Sequence, residues 1–154
     1  MNETHHADQN WTSNMHERTS ESPDRFDTDP NIYESLINWP KRLTNEGPFY
    51  RDLFDRVGAA RIVDVACGMG HHATLFRSWG MYVEAADISP EMIRRAREVH
   101  GESPDRRWIV RGFEEPVTAE PLFDVAICVG NSMALASDIG LVRRAIHHML
   151  ESRS

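Results

Sequence analysis

The chain has 154 residues, 40% of them hydrophobic and 27% charged, with a net charge of -7 and a pI ≈ 5.6. This is the composition of one soluble globular domain. The absence of a basic stripe argues against a nucleic-acid groove and for a small-molecule partner.

Residues 1–29 are polar, rich in His, Ser, Thr and Asp, and nearly without aliphatics, so they read as a disordered arm. Residues 1–30 hold seven acids and two arginines, a net charge of -5, which leaves the remainder nearly neutral. His5 and His6 belong to that solvated tail. No run approaches the ~18 apolar residues of a membrane span, and no leader pattern opens the chain. The expected setting is the cytoplasm, without membrane contact. The reduced cytosol suits Cys67 and Cys128 as two buried thiols.

Residues 30–154 read as one domain. Ile32, Tyr33, Leu36 and Ile37 predict a first helix, stopped at Pro40. Pro48 is expected to open a second, with Phe49, Leu53, Phe54 and Val57 on one face and Gly58 as its cap. Arg61–Ala66 is an apolar run broken by Cys67-Gly68-Met69-Gly70, then a helix over Ala73–Trp79 ended by Gly80. Met81–Ala86 predicts a second strand closed by Asp87. Ser89-Pro90-Glu91 combines a capping hydroxyl, a first-turn proline and an acid at the positive end of the helix dipole. That helix should reach His100. Trp108–Val110 and Phe123–Val129 predict strands three and four. Ser137 or Asp138 should cap a last helix with Ile139, Val142, Ile146, Met149 and Leu150 turned inward. Alternating strands and helices predict an α/β fold with a doubly wound, mainly parallel sheet.

The junction after the first strand carries the chemistry. Gly68 and Gly70 let a ligand approach the backbone, and the helix that follows offers free N–H groups. Asp87 lies 19 positions beyond Gly68, at the end of strand two, where a carboxylate can accept two ribose hydroxyls. Gly68, Gly70 and Ala73 also satisfy a dinucleotide pattern. Asp64, just before the loop, argues against a pyrophosphate there and for a cationic ligand. S-adenosylmethionine carries an ammonium and a sulfonium and no phosphate.

Residues 62–70, IVDVACGMG, resemble the first motif of class I S-adenosylmethionine-dependent methyltransferases, which have a Rossmann-like fold. Residues 85–92, AADISPEM, resemble the second. Residues 123–132, FDVAICVGNS, are similar to the fourth-strand segment of the glycine N-methyltransferase-like group. The resemblance runs from about Tyr33 to Leu150. It implies S-adenosylmethionine as cofactor, with Ala66, Gly68 and Gly70 along its methionine and ribose part and Asp87 on the ribose hydroxyls. Ile88 and Met92 would cover adenine, although Met92 suits the core equally. Arg42, 22 positions before Asp64, would hold the cofactor carboxylate through a bidentate fork. Gly130 and Asn131 would meet the amino-acid end of the cofactor or the acceptor. The acid that such proteins often carry after strand three is replaced by residues 111–115, RGFEE, so adenine would be read by backbone near Phe113, or by Glu114.

No metal site is expected, because adjacent histidines such as His71 and His72 point about 100° apart on a helix. No catalytic base can be named. The resemblance implies methyl transfer to the N or O nucleophile of a small acceptor. A full domain of this class has seven strands, and about four are accounted for, so the chain reads as C-terminally incomplete. Strand four would then be an apolar open edge prone to self-association. Two competing readings are a cofactor-binding module without turnover and a nicotinamide-dependent oxidoreductase. The second lacks a Tyr-x-x-x-Lys pair.

Overall fold

The computed structural model describes residues 32, 35–118, 120–130 and 132–153. The polar arm at 1–29 and Asn131 lie outside them. Helix α1 (Trp39–Val57) is followed by β1 (Arg61–Asp64), α2 (His71–Ser78), β2 (Tyr82–Asp87), α3 (Pro90–His100), β3 (Arg106–Val110), β4 (Val125–Ile127), a 3-10 turn (Ser132–Leu135) and α4 (Ile139–Glu151). The strands form one parallel sheet in the order β3-β2-β1-β4. The expected α/β architecture is therefore present. Among the described residues no helix is long and apolar enough to cross a membrane.

Two prolines act differently from expectation. Pro40 does not stop a helix; it sits in the first turn of α1, where a missing N–H costs nothing, and the Asn38 side chain accepts from Lys41 N at 3.1 Å. Pro48 does not open a helix; it lies inside α1. An interior proline costs roughly 3 kcal/mol. Aromatic packing after the proline holds the C-terminal half of the helix against α2. Tyr50 and Phe54 meet Phe76 of α2 with ring centroids 5.2 and 4.9 Å apart, and Phe54 is fully buried. Gly58 caps α1 in the left-handed conformation, as expected.

The sheet buries both faces. Ile62, Val83, Ala85 and Trp108 pack with Phe54, Ala73, Phe76, Ile93 and Ala96 from α1, α2 and α3. Val63, Val65 and Phe123 form a second cluster, covered by Phe113, Val117 and Met149. The strand-four expectation was too long: β4 spans Val125–Ile127, Phe123 makes only an isolated bridge, to Arg153, and the Asp124 side chain accepts from Ala60 N and Arg61 N at 2.7 Å each. Asp138 caps α4, accepting from Leu141 N at 2.9 Å. The inward face predicted for that helix is only partly realised. Ala145 is buried and Met149 packs on the second cluster, but Ile139, Ile146 and Leu150 are exposed. Cys67 and Cys128 are free thiols, half-buried rather than fully enclosed.

Candidate functional site

The carboxyl ends of β1 and β2 converge on the glycine loop. Past the end of β1, Val65 N donates to Ile127 O at 2.9 Å and Cys67 N to Ala86 O at 2.8 Å. The loop thus begins tied to the strands on both sides. Gly68 and Gly70 have φ of +54° and +79°, a region that favours glycine. At Gly70 a side chain is excluded twice over, because a Cβ there would overlap the indole of Trp108.

Asp87 is joined directly to this loop. Its Oδ2 accepts from Gly68 N at 2.8 Å and its Oδ1 from Ser89 N at 3.0 Å. The second bond belongs to the turn into α3, whose first turn is capped by the Ser89 hydroxyl accepting from Met92 N at 3.3 Å. The acid is therefore fixed in place beside the loop.

Asp64 is 1% exposed, and its Oδ1 accepts from Ala66 N at 3.2 Å. Burial pushes its pKa up to about 7, the Ala66 bond opposes this, and the charge of Asp87 adds to it. Among the described residues no cationic side chain pairs with Asp64. Burial also pushes the Cys67 thiol well above its ordinary range, with Asp64 and Asp87 adding to the effect. The site thus holds two carboxylates at adjacent strand ends and favours a positive ligand.

The other predicted residues divide by position. Ala66 is half-buried in the loop, and Ile88 stands 65% exposed at its rim. Gly130 is exposed after β4 with φ +82°. Met92 is 7% exposed at the start of α3. The Phe113 side chain packs on Val63, Val65 and Phe123. The residue-111 segment folds back on itself, with Gly112 N donating to Glu115 Oε1 at 2.7 Å.

Arg42 lies on α1, beside an open groove of about 370 Å³ that Ile37, Asn38, Lys41 and Glu46 also line. Its Nε donates to Glu46 Oε1 at 2.8 Å, and its guanidinium lies over the Trp39 ring at 5.3 Å. Trp39 stacks on His71 at 4.2 Å, directly after the glycine loop. Glu46 also contacts the buried His72, Oε2 to Nε2 at 2.7 Å. Sequence reasoning missed Glu46, His72 and Tyr50. Only the Arg42–Glu46 pair carried a local signal, its i,i+4 spacing, and that was hidden because both residues fell between a helix read as stopped at Pro40 and one read as opened at Pro48. Burial raises the Tyr50 pKa, the charges of Glu46 and Asp64 add to this, and Arg42 opposes it.

A parallel sheet in this order, with a glycine loop after β1 and a loop-bonded acid after β2, defines a Rossmann-like fold of the kind that binds nucleoside cofactors. Residues 62–152 match the family described as methyltransferase domain. That is more than half of the chain, and the chain belongs to this family. It is 32% identical over 108 residues to glycine/sarcosine N-methyltransferase of Halorhodospira halochloris, covering 65% of this chain and 38% of that protein. It is 43% identical over 75 residues to trans-aconitate 2-methyltransferase of Mycobacterium tuberculosis, covering 46% of this chain and 26% of the other. The chain thus spans well under half the length of these relatives. Among solved structures, it resembles a SAM-bound amino pentose methyltransferase from Micromonospora echinaspora with a TM-score of 0.63. That match is 22% identical and covers 80% of this chain and 52% of that one. This likeness supports the fold.

Proposed function

We propose that this chain binds S-adenosylmethionine at the carboxyl ends of β1 and β2 and serves methyl transfer to a nitrogen or oxygen of a small molecule. The observation that carries the reading is the buried Asp64 beside a loop whose Gly68 amide is bonded to Asp87. The donor set fits the group. Asp64 offers a carboxylate to the cationic end, Asp87 accepts the ribose hydroxyls, and Gly68 and Gly70 admit the ligand to the backbone. Arg42 grips the carboxylate, Ile88 covers adenine, and Met92 lies behind it. Backbone near Phe113, or Glu114, reads the adenine edge, and Gly130 meets the amino-acid end of the cofactor or the acceptor.

When bound, the sulfonium supplies a methyl group already activated for in-line displacement. What remains for the protein is alignment and the exclusion of water. An amine acceptor must arrive deprotonated, which calls for an acceptor of its proton nearby. Small acceptors are favoured by the relatives, whose names specify glycine, sarcosine and trans-aconitate.

A nicotinamide dinucleotide would place its pyrophosphate beside Asp64 and Asp87, an unfavourable match of charge. Calorimetric titration with S-adenosylhomocysteine and with NAD separates the two readings. Binding of S-adenosylhomocysteine alone is expected; tighter binding of NAD would overturn the assignment.

A further inference from the structure

We infer that Glu46 and His72 are positioning residues that aim Arg42 at the carboxylate of the bound cofactor. The inference rests on the proposed cofactor reading and extends it to two residues that no motif marks.

The geometry divides the guanidinium into two edges. Glu46 takes Nε at 2.8 Å, a contact that does not use the two terminal nitrogens. Those nitrogens form the fork that matches a carboxylate bidentately. Glu46 and Arg42 lie one turn apart on the same helix, and such a pair alone is worth little and does not hold a long side chain still. Here the second oxygen of Glu46 is anchored from another element. His72 of α2 meets it at 2.7 Å and is 5% exposed. The contact links α1 to the first turn of the helix that leaves the glycine loop.

The charges are consistent with this arrangement. Burial holds the His72 pKa below its usual value despite the pull of Glu46, so the ring is neutral at pH 7. A neutral ring with its Nε2 proton toward Glu46 donates to it without cancelling its charge. Burial raises the Glu46 pKa, and the bonds from His72 and Arg42 outweigh that and lower it overall. Glu46 therefore stays ionised and retains Arg42. The face of Trp39 restricts the guanidinium from the other side.

The test compares two ligands that differ only at the carboxylate, S-adenosylmethionine and its decarboxylated form. The quantity read is the ratio of their affinities, measured by calorimetry on the full chain. Glu46→Gln and His72→Gln should each lower that ratio at least about fivefold, with affinity for the decarboxylated ligand held within about twofold. Equal loss for both ligands would mark the pair as merely structural and overturn the inference. So would an unchanged ratio. A rise would show that Glu46 repels the ligand carboxylate instead of aiming its partner. Arg42→Ala keeps the two levels of the argument apart. If it collapses the ratio while Glu46→Gln does not, the positioning role fails and the cofactor reading stands. If Arg42→Ala leaves the ratio intact, Arg42 itself is not the carboxylate partner, and the positioning role falls with it.

Discussion

Replacing Asp64 with Asn tests the central electrostatic feature of the site. Asn keeps the shape and an oxygen for the Ala66 amide, but it cannot ionise. The carboxyl of Asp64 titrates near 7 in the folded chain, against 3.8 for the ordinary group. A folded-state pKa raised in this way means that the folded protein holds the proton more tightly. The resulting stabilisation is fully present below about pH 3.8, declines as pH rises, and is gone above about pH 7. At 1.36 kcal/mol for each pK unit, ionising this buried group costs on the order of 4 kcal/mol at most. Water penetration into the site reduces the measured figure to roughly 2–4 kcal/mol. Asp64→Asn should therefore be more stable than the parent at pH 8, with the advantage shrinking steadily toward pH 5. Urea unfolding of both proteins at pH 5, 6, 7 and 8 measures the difference directly. The same substitution should weaken S-adenosylmethionine binding at least about tenfold at pH 8, since the cationic end loses its counter-charge. A stability difference independent of pH would refute the electrostatic argument. A more stable variant with undiminished affinity would remove Asp64 from the ligand site.

Two further substitutions examine the loop. Gly70→Ala should destabilise the fold by roughly 2 kcal/mol or more, because it combines a left-handed φ with a clash against Trp108; denaturant midpoints check this. Asp87→Ala should weaken S-adenosylhomocysteine binding by roughly 1–3 kcal/mol, read by calorimetry after circular dichroism has confirmed the fold.

What the sequence made legible follows the range of the interactions. The start of α3 was readable because Ser89, Pro90 and Glu91 act within one turn, and the parallel sheet followed from the alternation of strands with helices. Asp87 could be placed beside the loop because strand length fixes where a strand end falls. Pro40 and Pro48 misled because a proline's local preference does not reveal whether distant rings will hold the helix together. The apolar stripe of α4 marked a face, but which of its residues are covered depends on elements far away in the chain. Glu46–His72 and the buried Glu84–Arg111 pair, 2.7 Å apart, span 26 and 27 positions, and no local pattern announces either.

The ladder bonds that run past the end of β1 have a consequence for the kinetics of recognition. Val65 and Cys67 are held by β4 and β2 respectively, and Gly68 by Asp87. The start of the loop can loosen only if the middle of the sheet comes apart, the costliest kind of opening in a domain. A ligand arriving there finds a cradle already shaped, and little ordering entropy is spent on closing around it. Encounter with the adenosine end should then follow simple bimolecular kinetics. Any slow rearrangement would belong to the α1 side, where Arg42 borders an open groove.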